Sequence, residues 1–172
     1  DDNSSTLAAG GSITTSGSDA AGIYNFGDSK ETTVFGSIST GGERAYGIYN
    51  KVSNNTTTIS NGGGISTEGV DAYGIYFSGN NSTATVGGDI TTTGSGAHGI
   101  YNLNNNSSTL AADGSITTAG SDAYGIYNFG DNNTTTIAGD ITTTGSGAHG
   151  IYNLGDDNSS TLAAGGSITT SG

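Results

Sequence analysis

The sequence predicts an all-β protein, a parallel β-solenoid with three short strands in each rung, a sequence period of about 25–26 and about 6.7 rungs in all. The first observation is a repeated tripeptide: GIY occurs six times, and the sequence numbers of its glycines increase by 25, 27, 25, 26 and 25. The second is that two more apolar positions recur at fixed places between successive copies. A unit of this size cannot bury its apolar side chains alone, but the stacked coils of a solenoid bury them against each other.

Composition alone favours a different interpretation. The chain has 32 Gly, no Pro and no Cys, and only 31% of its residues are apolar. Chains this rich in Gly and polar residues are often disordered, because burial of so little apolar surface does not offset the entropy lost on ordering. The fixed spacing of the apolar residues argues against a disordered low-complexity linker and favours the repeat fold.

The first strand of each rung is expected at an aliphatic residue that follows Thr. These aliphatic residues are Leu7, Val34, Ile59, Val86, Leu110, Ile137 and Leu162. Because side chains alternate between the two faces of a strand, the preceding Thr should point outward. This outward Thr column consists of Thr6, Thr33, Thr58, Thr85, Thr109, Thr136 and Thr161. With Ser, Thr or Glu two residues before each Thr, the face resembles the Thr-x-Thr faces of ice-binding β-solenoids, although Thr is also an ordinary exposed strand residue.

The second strand is expected at an Ile that precedes Ser or Thr. These residues are Ile13, Ile38, Ile65, Ile90, Ile116, Ile141 and Ile168. The distance from this Ile to the Ile of the next GIY is 10 residues in all six cases. The step in sequence number from the first-strand aliphatic residue to this Ile alternates along the chain between six and four. The sequence repeat is therefore two rungs, close to 52 residues.

The third strand is expected at GIY and supplies three columns of stacked side chains. The core ladder consists of Ile23, Ile48, Ile75, Ile100, Ile126 and Ile151. Strict alternation would place the GIY tyrosines on the opposite face, whereas a bend at the Gly could place them elsewhere. At the following corner, stacked amides should hydrogen-bond along an Asn ladder that Phe77 interrupts. The Asn ladder consists of Asn25, Asn50, Asn102, Asn128 and Asn153.

Residues 1–172 form a single repeat domain in this interpretation. Residues 156–172 repeat residues 1–17 letter for letter, at an offset of 155 residues, which corresponds to three two-rung units. Neither end resembles the capping element that a free-standing solenoid needs. The sequence therefore predicts an uncapped excerpt of a longer array or filament, with end-to-end self-association along the rod axis.

The repeats resemble those of a known group of proteins. The resemblance extends over the whole chain and is clear in residues 11–50, GSITTSGSDAAGIYNFGDSKETTVFGSISTGGERAYGIYN. Passenger regions of Gram-negative autotransporters and related large surface adhesins carry similar G-x-I-T-T-x-G-x-x-A-x-G-I-Y units. The resemblance implies a right-handed parallel β-helix, a location outside the cell or on its surface, and a role as a stalk or an adhesin.

The charge of the chain limits the classes of partner that it can bind. It has 15 acidic against 3 basic residues and a net charge of −12 at pH 7. Nucleic acid requires a basic face, so this class of partner is excluded, and an anionic membrane is disfavoured for the same reason. No stretch of the sequence has the length and apolarity that membrane insertion requires. The acidity predicts a solvated surface that keeps rods apart.

Several acids lie at the corner that follows GIYN, where oxygen ligands for calcium could gather. The calcium candidates are Asp28, Asp131, Asp156 and Asp157, with Asp1 and Asp2 at the equivalent place. However, the nonapeptide of calcium-binding β-rolls is missing, and a plain Asx turn explains the same residues. No other cofactor is predicted.

No enzymatic activity is predicted either. The carboxylates are scattered at about one per rung, whereas polysaccharide cleavage needs them in pairs. The only histidines, His98 and His149, occupy equivalent positions two rungs apart. Stacked side chains at that separation are about 9.6 Å apart, too far to share one metal ion. Both histidines are interpreted as polar alternatives to Tyr on the outer wall.

Asn-x-Ser/Thr sequons recur at the corner of almost every rung. In secreted proteins such sequons mark exposed glycosylation sites, although a chain this rich in Asn, Ser and Thr contains many by chance. The candidate acceptors are Asn3, Asn54, Asn81, Asn106, Asn133 and Asn158.

Two functional hypotheses follow. The first is a non-enzymatic extracellular rod, a stalk or filament subunit of a surface adhesin. The second is a binding face on the solenoid, either an adhesin for a glycan or host protein, or a Thr array that binds ice. Adhesin sites usually lie where loops break a repeat. The main irregularity of this chain is residues 30–51, with Phe35, Glu43, Arg44 and Tyr46.

Overall fold

The computed structural model describes residues 3–172, and in this range it contains 20 strands and no helix. The strands form three parallel sheets that coil in about seven turns, with three strands in each rung and one rung for each interval between successive GIY motifs. The predicted all-β solenoid is therefore confirmed. Each sheet contains one strand from every rung that it crosses.

Sheet A holds the strands that follow the Asn-rich corner. They are β1 (Ser4–Leu7), β4 (Glu31–Val34), β7 (Thr56–Ile59), β10 (Thr83–Val86), β13 (Ser107–Leu110), β16 (Thr134–Ile137) and β19 (Ser159–Leu162). Sheet B holds the Ile-Thr strands. They are β2 (Ser12–Thr15), β5 (Ser37–Thr40), β8 (Gly64–Thr67), β11 (Asp89–Thr92), β14 (Ser115–Thr118), β17 (Asp140–Thr143) and β20 (Ser167–Thr170). Sheet C holds the GIY strands. They are β3 (Ile23–Asn25), β6 (Ile48–Asn50), β9 (Ile75–Phe77), β12 (Ile100–Asn102), β15 (Ile126–Asn128) and β18 (Ile151–Asn153).

Equivalent residues of successive rungs stack directly on each other. Ile100, for example, pairs with Ile75 on one side and with Ile126 on the other. The aliphatic residues of all three sheets meet inside the coil and form one buried core. Among its fully buried side chains are Ile38, Ile48, Ile59, Ile75, Ile90, Ile100, Leu110, Ile116, Ile126, Ile137 and Ile141.

The Gly of GIY allows two rungs to approach closely. A Cβ atom on Gly74 would lie 2.4 Å from Cγ2 of Ile90 and 2.6 Å from the carbonyl oxygen of Gly99. Real Cβ atoms do not come this close to other heavy atoms. The Gly is therefore present in every GIY because any side chain would push the rungs apart.

Two corners of each rung turn through a residue with a left-handed backbone. The residues before sheet C have φ angles between 50° and 70° and are Asp19, Arg44, Asp71, Gly96, Asp122 and Gly147. Those before sheet A have φ angles between 49° and 60° and are Ser29, Asn54, Asn81, Asn105, Asn132 and Asp157. Asp, Asn and Gly adopt this conformation most readily, which explains their frequency at both corners.

The Asn side chains of sheet C point into the coil and form hydrogen bonds along its axis. Nδ2 of Asn25 donates to Oδ1 of Asn50 over 2.6 Å. Nδ2 of Asn102 donates to Oδ1 of Asn128 over 2.8 Å, and Asn128 donates in turn to Asn153 over 2.7 Å. The ladder thus gives these inward-facing amides hydrogen-bond partners within the coil.

Phe77 takes the place of an Asn in this ladder, and on the next strand Ala84 takes the place of a residue with a hydroxyl group. In the preceding rung, Asn50 also donates to the buried hydroxyl of Thr57 on sheet A, over 3.0 Å. Phe77 pairs with Asn50 and Asn102 and is fully buried, and the residue aligned with Thr57 is the buried Ala84. A large apolar ring thus occurs together with the loss of the neighbouring hydroxyl, so no hydroxyl is left facing the ring without a partner.

Candidate functional site

An aromatic face runs along the outside of sheet C and consists of two columns of rings. The first column is formed by the GIY tyrosines, which alternate with the buried Ile residues and therefore point outward. It contains Tyr24, Tyr49, Tyr76, Tyr101, Tyr127 and Tyr152. The second column is formed by the residue before the GIY Gly. It contains Tyr46, Tyr73, His98, Tyr124 and His149.

The rings of the aromatic face pack closely. Neighbouring rings in one column have centroids 4.8–5.4 Å apart. The two columns meet edge to face, as in the 5.0 Å contact between Tyr73 and Tyr101. Burial raises the pKa of Tyr46 to about 12 and raises the pKa of Tyr73 as well. Both phenols therefore stay protonated near neutral pH.

His98 lies in the aromatic face, but it is only 6% exposed. Its ring stacks between Tyr73 at 5.1 Å and Tyr124 at 4.8 Å, and its Nδ1 accepts a hydrogen bond from the backbone N–H of Tyr124 over 2.9 Å. Burial lowers the pKa of His98 to about 4. His98 thus takes the place of a Tyr on the outer wall, but the rings of both neighbouring rungs cover it. His149 is exposed.

The second ring column has no ring at Ala21, which leaves a notch beside Tyr46. The main chain of Ala21 and Gly22 lies beside Tyr46, and the N–H of Gly22 donates to the carbonyl of Tyr46 over 2.9 Å. One face of the Tyr46 ring stacks on Tyr73, so its other face looks toward Ala21, which has only a methyl group. The notch has a volume of about 380 Å³. It is lined by Asp19, Ala21, Tyr24, Arg44, Tyr46 and Tyr49.

An ion pair forms the polar rim of the notch. Nε of Arg44 donates to Oδ1 of Asp19 over 2.8 Å, and a second guanidinium nitrogen donates to Oδ2 over 3.2 Å. Arg44 also donates to the carboxylate of Glu43. The hydrogen bond from Arg44 lowers the pKa of Asp19. The side chains of Arg44 and Asp19 remain 46% and 64% exposed, so both can reach a ligand in the notch.

The predicted Thr column lies on the outside of sheet A. Thr33 and Thr58 are partly exposed, while Thr32 and Thr57 between them point inward and are buried. Glu31 pairs in register with Thr56 of the next rung and is exposed. A carboxylate therefore stands within the hydroxyl array of this face.

Two of the calcium candidates accept hydrogen bonds from the backbone of the next rung. Oδ1 of Asp28 accepts from the N–H of Ser53 over 3.1 Å, and Oδ1 of Asp131 accepts from the N–H of Asp156 over 2.8 Å. Asp157 provides a left-handed turn residue. Within residues 3–172, no group of three or more His, Cys, Asp or Glu side chains is arranged to hold a metal ion. Asp1 and Asp2 lie outside the described residues.

The sequons divide into two classes. Asn3, Asn54 and Asn81 are exposed. Asn106 and Asn133 are 1% and 0% exposed, so these two candidates are not accessible as glycosylation acceptors. They belong to a second amide ladder, which also includes the partly buried Asn158. Asn106 accepts from the N–H of Ser82, Asn133 from the N–H of Asn106, and Asn158 from the N–H of Asn133, over 2.7–2.9 Å.

No protein-family model, no curated protein and no solved structure matches this chain. The resemblance to autotransporter passenger repeats therefore stays a prediction from sequence. In the part of the chain that the structure describes, no helix is both long and apolar enough to cross a membrane. The candidate site is therefore chosen from the surface geometry of the rod. The notch is the place where the aromatic face is incomplete.

The sequence pointed to residues 30–51, which include Arg44 and Tyr46, but not to the notch that they form with Ala21, although both signals are visible in the sequence. Ala21 is the one residue before a GIY Gly that is neither Tyr nor His. Arg44 is the one base at a position that holds Asp or Gly in the other five rungs. Each substitution is ordinary when it is considered alone. Only the stacking of the two rungs shows that both changes meet at the same point of the surface.

Proposed function

We propose that this chain is a non-enzymatic structural rod, a stalk or filament subunit of an adhesin at the cell surface. The unbroken register of the three sheets is the observation that carries the proposal. Each rung is tied to the next by backbone hydrogen bonds and by stacked side chains, and each adds about 4.8 Å of length. Such a coil converts sequence length into a stiff spacer of defined reach.

The surface of the rod fits this role. The net charge of −12 is carried mainly by Asp residues at corners and on the outer face of sheet B, where repulsion limits side-by-side contact. The resemblance of the repeats to autotransporter passenger regions supports a location outside the cell.

Immunogold electron microscopy of the source cells tests the proposal. Antibodies raised against the purified 172-residue chain should label thin fibres at the cell surface, and protease added to intact cells should remove the label. Label confined to the cytoplasm would contradict it. Cleavage of a polysaccharide by the purified chain would contradict the non-enzymatic part.

A binding face for glycans is the second candidate function, and the exposed aromatic residues favour it. Beside the aromatic face, Phe26 is 69% exposed and Phe129 and Leu154 are also exposed. Lys51 lies over the ring of Phe26, with Nζ 5.2 Å from the centroid. Flat, uncharged rings at a solvated surface are suited to stack against apolar faces of sugars.

A further inference from the structure

We propose that the notch beside Tyr46 binds one neutral sugar ring, which lies on the free face of Tyr46 and hydrogen-bonds to Asp19 and Arg44. The proposal deepens the second candidate function by naming its site and its ligand class. It does not depend on the rod proposal, because a rod without a ligand would remain a rod.

The aromatic walls determine the shape of the ligand. Tyr46 and Tyr49 meet nearly edge-on, with centroids 5.3 Å apart and planes at 73°, and Tyr24 stands 5.1 Å from Tyr49. Together they form an angled apolar floor. In every later rung a ring of Tyr or His stacks at the position that Ala21 occupies here. The notch therefore has room for one flat group of about ring thickness against Tyr46, and its volume falls in the usual range of small-molecule sites, about 300–1,000 Å³.

The rim determines the polarity of the ligand. The carboxylate of Asp19 offers acceptors and the guanidinium of Arg44 offers donors, which is the combination that binds adjacent hydroxyl groups. Two carboxylates, those of Asp19 and Glu43, surround the single guanidinium, so an anionic ligand is repelled. Arg44 in turn opposes a cationic ligand. A neutral pyranose satisfies both conditions, because one face presents C–H groups to an aromatic ring while its hydroxyls reach the rim.

The two features that build the site lie on two successive rungs and meet at no other point of the aromatic face. The positions equivalent to Arg44 hold Asp or Gly, and the positions equivalent to Ala21 hold Tyr or His. Any of the other rungs therefore serves as an internal control for the aromatic face without a notch.

Saturation-transfer NMR with the intact chain tests the proposal. The probes are the methyl glycosides of glucose, galactose, mannose and N-acetylglucosamine, each at millimolar concentration. At least one should receive saturation from the tyrosine rings and shift the amide signals of Ala21 and Tyr46. Ala21→Tyr fills the notch with the ring that the other rungs carry and should abolish binding while the solenoid signals persist. Arg44→Ala should weaken binding at least tenfold, whereas Asp122→Ala, three rungs away in the column of Arg44, should leave it unchanged.

Three results would overturn the assignment. The first is that none of the four glycosides binds the wild-type chain. The second is that binding survives Ala21→Tyr, which would place it elsewhere on the aromatic face. The third is that choline or p-cresol binds in the notch at lower concentration than every glycoside, which would make a cation or an aromatic group the ligand. All three results would leave the rod proposal standing, because antibody labelling of surface fibres tests that proposal separately.

Discussion

A single histidine, His98, shows how stacking changes the chemistry of a residue. In sequence it alternates with Tyr before the GIY Gly, and the same position two rungs later holds His149. Stacking buries His98 between two tyrosines, and its Nδ1 accepts a backbone hydrogen bond. Protonation would put a charge into this apolar site, and the folded state therefore favours the neutral imidazole.

The rod should lose stability as the pH falls from about 6.5 to about 4. The pKa of His98 is lowered from 6.5 to about 4 in the folded chain, so the unfolded chain binds the proton more readily within this window. The contribution of the neutral His98 is complete above pH 6.5 and is lost as the pH falls through the folded pKa, about 3 kcal/mol in all. Urea denaturation at pH 7 and at pH 4 measures it.

Because carboxylates also titrate in this range, the useful quantity is the difference between variants. His98→Tyr, which restores the ring found in neighbouring rungs, should remove about 3 kcal/mol of the pH dependence. His149→Tyr changes an exposed histidine at the equivalent position and should leave the dependence as in the wild type. Identical pH profiles for the wild type and His98→Tyr would show that His98 is not protected in the folded chain.

The strands and columns are the level at which sequence predicted most. The spacing of the repeats was sufficient to predict the three strands of each rung, because a solenoid permits few departures from its period. The joint occurrence of Phe77 and Ala84 was not predicted. Phe77 is a single exception in the Asn column of sheet C, and Ala84 is a single exception in the inward hydroxyl column of sheet A. Nor was the inward direction of the Asn ladder, which depends on where the chain bends after GIY. The notch escaped prediction for a similar reason: Ala21 and Arg44 are far apart in sequence and meet only across two rungs.

The double variant Phe77→Asn with Ala84→Thr should be more stable than expected from the two single variants. Phe77→Asn alone leaves a cavity and an amide without the hydroxyl partner that Thr57 provides to Asn50, and Ala84→Thr alone places a hydroxyl against the Phe77 ring. Together they extend the Asn ladder through the interrupted rung. We expect a favourable coupling energy of about 0.5–3 kcal/mol in a double-mutant cycle. Strictly additive single and double variants would contradict the coupling of the two columns.

At the scale of the whole molecule, charge controls contact between rods. The chain carries a net charge of −12 at pH 7, and its isoelectric point lies near pH 4.1. Long-range repulsion is strong at low ionic strength, where the screening length is about 30 Å at 0.01 M salt. Near the isoelectric point this repulsion vanishes, and the exposed apolar side chains are then free to meet.

Rods should therefore associate laterally near pH 4 and separate again at pH 7. Light scattering of the His98→Tyr variant measures this effect without the loss of stability expected for the wild type in acid. Scattering should rise as the pH falls toward 4 and should rise less steeply when an exposed apolar side chain is removed, for example by Phe26→Ser. Equal scattering at both pH values would show that charge does not keep the rods apart.

The alternation of two- and four-residue corners between sheets A and B has a consequence for inheritance. After a deletion or duplication of two rungs, each residue still stacks on an equivalent residue. The reason is that corner, ladder and ring positions all recur with that period. A change of one rung would instead place two corners of the same length next to each other. Gain or loss of two-rung units in the gene would thus lengthen or shorten the rod in steps of about 9.6 Å while the columns stay in register. In such a molecule, the length of the rod can change between generations while the fold stays the same.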